Sequence, residues 1–496
     1  MDMDRNISPL DMRIINRQLS RPPRGLLGIA CRCFQGRPGV IVTHPFAVSG
    51  GFFPTNWWLS CPLLRRAIGF LEGQGGVGLA ARQGWDNLGS THARYALRRQ
   101  GLMSWRERWE LFRSSPEMYR MLVDQGVGGT TSPGGIKCLH AHYADWLMEQ
   151  QNPVGAWVQG LLMSNRHLLG KYAHSCLICH GEAVSPVDGI IISPNKVQAH
   201  EMVALDSDCL RAASLDIGTN SLRILIGQGQ KGKGWHALYR GLWSIRLGEG
   251  LGTTGLISPA ALARLREAGQ EVAHLLDKFA VREVRAVATS AVREAGNGDE
   301  CLKVLAELGI NVQVISGREE GLLSFRGALR GMDGGGLAAV IDVGGGSTEV
   351  AVGLPHGQPI LVSVPLGAVK AAEGERDLGL FKEPLTFLPD AGQLLATGGT
   401  ATSLAAVDLG LVDYDVRRVH GHELSRKTLS GLRSFLADLP LDWRRKVPGL
   451  DPARADIIVP GARILEHVMD LLGFTRVRIS ESGILDALLD SVFSLA

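Results

Sequence analysis

Two short stretches of the chain carry the same arrangement of residues able to do chemistry. Ser214–Gly227 reads SLDIGTNSLRILIG and Val340–Gly353 reads VIDVGGGSTEVAVG. Ungapped, Asp216 falls on Asp342, Gly218 on Gly344, Ser221 on Ser347 and Gly227 on Gly353. Each copy reads as an apolar strand ending on a carboxylate, a Gly/Ser/Thr turn, and a second apolar strand. Such a turn lets backbone N–H groups approach an anion closely while the Asp stands beside it to hold a divalent cation. Two facing copies would clamp a phosphate chain. Asp-Gly turns are also ordinary hairpin connectors, but here the match extends across both strands.

The elements around the two copies alternate. Apolar runs 222–226, 284–288, 311–315, 338–342, 349–352 and 360–364 read as strands; 258–279, 299–308, 318–330, 401–411, 424–438 and 453–472 read as helices. That alternation is the pattern of an α/β protein. The chain has 496 residues, enough for several domains, with 45% hydrophobic and 20% charged residues. A net charge of +3 supports no global affinity for polyanions. No run of eighteen apolar residues occurs, so no membrane partner is expected. The start, MDMDRNISPLD, is unlike a secretory signal, and eight Cys then suggest reduced thiols in the cytoplasm.

From Ser214 to the end the chain resembles the exopolyphosphatase/guanosine pentaphosphate phosphohydrolase family, a branch of the actin-like ATPase superfamily. The resemblance rests on LDIGTNSLR (215–223), AVATSAVREAGN (286–297), VISGREEGLLSFRGA (314–328), IDVGGGSTEV (341–350), VPLGAVK (364–370), ATGGTATSLAAVDLGL (396–411), RVHGHEL (418–424) and ISESGILDALL (479–489), in the family order. It implies an α/β fold of two actin-like (ribonuclease H-like) lobes, 213–330 and 331–496, with the active site between them. The implied activity is hydrolysis of a phosphoanhydride, releasing terminal phosphate from inorganic polyphosphate or guanosine pentaphosphate. An ATP-dependent kinase or ATPase of the same superfamily is the alternative enzyme. A non-catalytic polyphosphate or alarmone sensor is the alternative of another class.

Roles follow from the same resemblance. Glu320, the second Glu of the family's "SGxEE" motif, orients and deprotonates the attacking water. On residue type alone, Glu319-Glu320 is an acidic pair in a helix's first turn, favoured by the helix dipole, and Glu319 is expected to keep that structural part. Asp342 carries Mg²⁺ with Asp216 contributing from the opposite hairpin. Gly344, Gly345, Gly346 and Ser347 wrap the terminal phosphate, as do Thr219, Asn220 and Ser221 from the other lobe. Arg293 pairs with phosphate. Gly398, Gly399 and Thr400 belong to the wall receiving the rest of the substrate, unless TGGTATS is simply a glycine-rich helix start with Thr400 and Thr402 as caps. His420 and His422 are expected to be structural or substrate-orienting rather than a metal pair. Family members often pair, so a homodimer is an expectation. The stretch from Lys370 to Leu394 is short for the family, so that flank of the second lobe is expected to be truncated. The chain ends after ISESGILDALLDSVFSLA, where longer family members continue, which favours a short polyphosphate or a nucleotide over a very long chain.

Residues 1–162 are expected to form a separate α+β domain, joined through a polar, His-rich linker at 163–212. Arg13 to Leu162 resembles a bacterial family called domain of unknown function five hundred and one, on RCFQGRPGVI (32–41), FFPTNWWLSCPLL (52–64), KCLHAHYADWL (137–147) and NPVGAWV (152–158). Cys138, His140 and His142, preceded by Cys33 and Cys61, suit Zn²⁺ or an iron centre; alternatively Cys33 and Cys61 are small buried hydrophobes and one His is satisfied in the core. Cys176-Leu-Ile-Cys179-His180 spells a haem-attachment motif, read here as an incidental pair because no export signal precedes it. His92–Met121, with Arg94, Arg98, Arg99, Arg106, Arg108 and Arg113 among aromatics, could grip polyphosphate or RNA. The expected reading is instead a solvated helix with its aromatic side in the core, so no nucleic-acid partner is expected.

Overall fold

Strands and helices follow the hydrophobic periods of the sequence closely in the computed structural model, which describes residues 3–33, 35–46, 51–165, 169, 209–332, 335–374 and 377–494. The chain divides into two units, Met1–Met202 and Val203–Ala496. Most of the expected linker, with His174, Cys176, Cys179 and His180, lies outside the described residues. No described helix is long and apolar enough to cross a membrane.

In Met1–Met202, β1 (Leu26–Arg32), β2 (Pro38–Thr43) and β3 (Trp57–Leu59) form an antiparallel sheet in chain order. Every residue of β2 is buried. Helices including Pro62–Gly73, Leu88–Gln100, Leu139–Glu149 and Pro153–Ser164 complete a core containing Val40, Trp57, Ile68, Tyr95, Leu139, Ala144 and Val158. This is the expected α+β unit. The basic stretch departs from the expectation of a solvated face. Arg98, Arg99 and Arg108 are buried. Arg98 pairs with Asp145 and, at 3.1 Å, with Glu149. Arg99 donates to the carbonyls of Pro54 (3.1 Å), Leu122 (2.6 Å) and Gln125 (2.5 Å). A fork of guanidinium donors can satisfy several inward carbonyls at once, so these arginines bind the unit together.

Val203–Ala496 holds two sheets of matching topology. Lobe I orders its strands β6-β5-β4-β7-β8, from β4 (Leu210–Ile217), β5 (Ser221–Gln230), β6 (Gly234–Ser244), β7 (Glu283–Ala288) and β8 (Val312–Val314). Lobe II orders them β11-β10-β9-β12-β14-β13, from β9 (Ala338–Val343), β10 (Thr348–Gly353), β11 (Ile360–Val364), β12 (Gln393–Thr397), β13 (Glu423–Ser425) and β14 (Arg476–Ile479). In each, three antiparallel strands are followed by two parallel neighbours, and lobe II adds β13 antiparallel to β14 at its edge. The written repeat is thus a folded repeat, β4-turn-β5 matching β9-turn-β10. All six expected strands are present. The helix expected at 424–438 starts at Arg426, because Ser425 caps it and Glu423–Ser425 pairs with β14. That expected at 453–472 starts at Ile458.

The boundary expected between lobes at 330 does not follow the packing. Helix Gly317–Ala328 places Phe325 and Ala328 against Ala338, Val340, Ala351 and Leu395 of the lobe II sheet. Conversely helix Ile484–Phe493, last in the chain, packs Leu485, Leu489, Val492 and Phe493 on Ala212 and Leu225 of lobe I. The two crossing helices meet where a Cβ on Gly327 would lie 1.9 Å from the Gly483 carbonyl oxygen. Backbone cannot yield there as a flexible side chain would. Gly327→Ala is therefore expected to lower stability by about 1–3 kcal/mol, measured by chemical denaturation; an unchanged midpoint would contradict the close approach.

Candidate active site

The two hairpins bring their turns together. Thr219 of the first packs on the second so closely that Cβ atoms on Gly345 and Gly346 would meet its Cβ at 2.7 Å and its Oγ1 at 3.0 Å. Each turn is tied from behind by the segment after its third strand. The Asn220 carbonyl accepts from the N–H of Ile245 and Arg246, and Thr219 from Gly248. Likewise Gly344 accepts from Ala368 and Gly345 from Val369, both at 2.8 Å. With carbonyls anchored behind, peptide dipoles of such loops present their amide edges forward, which suits an anion.

In front lies a cleft of about 740 Å³, lined by both turns and by Asp216, Asp342, Glu320, Arg223 and Arg454. Strand register decides what flanks each aspartate. Asp216 stands opposite Arg223, and Asp342 stands opposite Glu349. Arg223 pairs with Asp216 Oδ2, donating from Nε at 3.0 Å. Asp216 Oδ1 is buried with no hydrogen-bond partner among the described residues. Asp342 Oδ2 accepts from the Ser324 hydroxyl at 2.6 Å. Glu320 rides the first turn of Gly317–Ala328, a helix started by a capping box between Ser316 and Glu319. Glu319 thus has the structural part expected of it.

Charge is concentrated on the acidic side. Burial, then the carboxylates of Glu349, Asp216 and Asp342, push Glu320 up to about 9, with Arg293 opposing. Burial and Asp342 push Glu349 up to about 8 against the Ser363 and Ser347 hydroxyls. Asp342 is raised by burial and Asp216, opposed by Ser324 and Arg223. Buried carboxylates that crowd one another want a cation, and hard oxygen donors with an unpartnered Asp216 Oδ1 fit a divalent ion such as Mg²⁺.

The Ppx/GppA phosphatase family model matches residues 225–494, and the family described as Protein of unknown function (DUF501) matches 29–160. The chain belongs to the Ppx/GppA phosphatase family. Exopolyphosphatase 2 of Mycobacterium tuberculosis is 32% identical over 310 residues, covering 56% of this chain and 97% of the relative. The solved Ppx/GppA family member of Aquifex aeolicus is 27% identical with a TM-score of 0.50, covering 57% of this chain and 97% of that one. An exopolyphosphatase from Cytophaga hutchinsonii is 25% identical with a TM-score of 0.52, covering 57% of this chain and 97% of that one. The two-lobed α/β fold expected from the resemblance is the fold of these Ppx/GppA structures.

Within this Ppx/GppA unit, the turn residues, Gly398, Gly399 and Thr400 all line the cleft with Asp216, Asp342 and Glu320. Gly398 has φ +81 and leaves room for Asp342 Oδ1, 2.3 Å from where its Cβ would stand. Thr400 does not cap its helix as the alternative reading had it; its hydroxyl donates to the Val343 carbonyl at 3.3 Å. Arg293 departs from the expected phosphate pairing. Its Nη1 donates to the Ile315 carbonyl at 2.7 Å and to Glu320 Oε2 at 3.3 Å, so it holds the glutamate and stands behind the cleft. Among the described residues the cations lining the cleft are Arg223 and Arg454, neither singled out from sequence. Arg223 was legible, since the repeat aligns it with Glu349; Arg454 lies in a segment with no motif. His422 pairs with Asp408 at 2.9 Å and His420 accepts from the Glu481 N–H at 3.3 Å, so each ring has a structural partner.

The N-terminal residues regroup. Cys138 and His140 converge with Glu72. His142 does not join them: it is buried, bonded to Asn152 Oδ1 at 3.1 Å, and held down at about 4 by burial. Cys61 precedes helix Pro62–Gly73 and Cys33 follows β1, and neither belongs to the group. No described cysteine is in a disulfide.

Folding holds protons on Glu320 and Glu349 at pH values where the unfolded chain, with glutamates near 4.5, has lost them. The folded state binds more protons, so stability falls as pH rises. In chelator, melting temperature is expected to decline from about pH 4.5 through pH 8–9, and Glu349→Gln should flatten the decline. An equally steep profile in that variant would show that Glu349 does not hold a proton in the folded state.

Proposed function

We propose that Val203–Ala496 is a divalent-metal-dependent phosphoanhydride hydrolase, releasing terminal phosphate from inorganic polyphosphate or, as the finer alternative, from guanosine pentaphosphate. The observation that carries this reading is the convergence of Glu320, Asp216 and Asp342 on one cleft between two glycine-rich turns. The names of the exopolyphosphatase relatives support the polyphosphate side. The described cysteines, none in a disulfide, are consistent with a cytoplasmic setting.

The terminal phosphoryl group would lie between the turns, its oxygens met by amides of Gly344–Ser347 and Thr219–Ser221. Asp342, with the open Oδ1 of Asp216, would hold Mg²⁺, which when bound supplies positive charge to the phosphoryl oxygens. Arg223 and Arg454 face the same space and add cationic donors for the phosphate chain. The Ile315 carbonyl fixes the Arg293 guanidinium, which in turn fixes Glu320. Glu320 accepts the proton of the attacking water once positive charge in the cleft offsets its acidic neighbours. Charge stabilisation of this kind accounts for most of phosphoryl-transfer catalysis.

Glu320→Gln preserves size and should fold normally while phosphate release with Mg²⁺ drops by roughly 10²–10⁴-fold. Parallel assays with short and long polyphosphate, guanosine pentaphosphate and ATP identify the substrate. Preferential consumption of ATP, or full turnover by Glu320→Gln, would overturn the reading. Arg293→Ala is expected to lower kcat and displace the acidic limb of the pH–rate profile upward, since Glu320 loses its positive neighbour; a change in KM alone would return Arg293 to substrate binding.

A further inference from the structure

We infer that Glu72, Cys138 and His140 form a Zn²⁺ site in Met1–Met202, with three protein donors and a fourth position open. One ligand atom from each, a carboxylate oxygen, a thiol sulfur and a ring nitrogen, lies within 4.8 Å of the others. Tetrahedral zinc with bonds of about 2.0–2.3 Å separates its ligands by roughly 3.3–3.8 Å, so small side-chain movements would close the site. The mixture of thiolate, imidazole and carboxylate is a zinc donor set.

Hydrogen bonding around the three atoms is compatible with the same ligand. His140 Nε2 lies 2.9 Å from the Arg65 carbonyl oxygen, which can only accept, so Nε2 carries a hydrogen. The other ring nitrogen, Nδ1, lies 3.2 Å from Glu72 Oε2. With a proton on Nδ1 the contact is an ion pair, and a metal ion in that proton's place would take both atoms as ligands. A ring donating its far nitrogen to a backbone carbonyl is the usual second contact of a metal-bound histidine. The Leu139 N–H donates to Glu72 Oε1 at 2.6 Å, leaving Oε2 to face the ring. Arg65, Gly69 and Glu72 recur at helical spacing along one face of Pro62–Gly73, and a Cβ on Gly69 would still clear the imidazole at 3.9 Å. All three donor residues are partly exposed, which leaves a way in for the ion and room for a water or substrate atom at the fourth position. Binding would release the Cys138 thiol proton to solvent as the sulfur becomes thiolate.

The test uses the full chain, reduced, stripped with chelator and held in excess Mg²⁺ so that the other unit's carboxylates are occupied. Titration with Co²⁺ as probe should produce a thiolate-to-cobalt charge-transfer band that saturates at one ion per chain and is abolished by one equivalent of Zn²⁺. Cys138→Ser should remove the band. His140→Ala and Glu72→Gln should weaken binding by more than the roughly 10–100-fold that second-contact changes cost. Cys33→Ser and Cys61→Ser should retain it, and circular dichroism confirms that each variant is folded. A wild-type chain with neither band nor stoichiometric zinc would reduce the cluster to a histidine–glutamate ion pair and overturn the proposal. So would a band that survives Cys138→Ser.

Discussion

Strand register is the constraint on which the phosphatase-family unit depends. In both hairpins a two-strand ladder sets an aspartate at the end of one strand directly across from a residue on the next. Geometry is conserved between the copies, and charge is not. Asp216 meets Arg223; Asp342 meets Glu349. Cross-strand neighbours on one face lie within reach of each other, so the first aspartate is largely compensated and the second is placed against a like charge. Burial raises Glu320, Glu349 and Asp342, and the crowded carboxylates add to it: Glu349 and both aspartates at Glu320, Asp342 at Glu349, and Asp216 at Asp342. Positive charge is therefore wanted on the lobe II side of the cleft, next to the turn proposed to hold the terminal phosphate.

Glu320 enters this field from a helix that follows lobe I in sequence and packs on lobe II. Its counterpart, the last helix, crosses the other way, and the two touch at Gly327 and Gly483. The base proposed for catalysis thus sits on the connection between lobes. Any relative movement of the sheets would change its distance from the turns, and Arg293, anchored at the Ile315 carbonyl in the preceding loop, travels with it.

Much of this was legible in order and spacing. The paired strand–turn–strand phrases, the six strands, the acidic pair in the first turn of the Glu320 helix and the glycine-rich turns all follow from local rules. Turn length and a two-residue period determine which way neighbouring side chains point. Where local reading failed, a distant partner had intervened. Arg98 and Arg99 look like a solvent-facing basic run, yet carbonyls and carboxylates from other helices draw them inward. Arg293 matches a motif associated with phosphate, but the Ile315 carbonyl and Glu320 claim its guanidinium.

The amino-acid order alone determined two facing-type hairpins with acidic strand ends, and a Cys-x-His pair in the first unit. It did so because each is a contiguous pattern whose geometry is set within a few residues. Only tertiary structure decided that Glu320 joins Asp216 and Asp342, that Arg223 and Arg454 face the cleft, and that Glu72, rather than Cys33, Cys61 or His142, completes the group at Cys138 and His140. Those meetings depend on how helices far apart in the chain pack on the sheets, and burial rather than sequence proximity selects the partners.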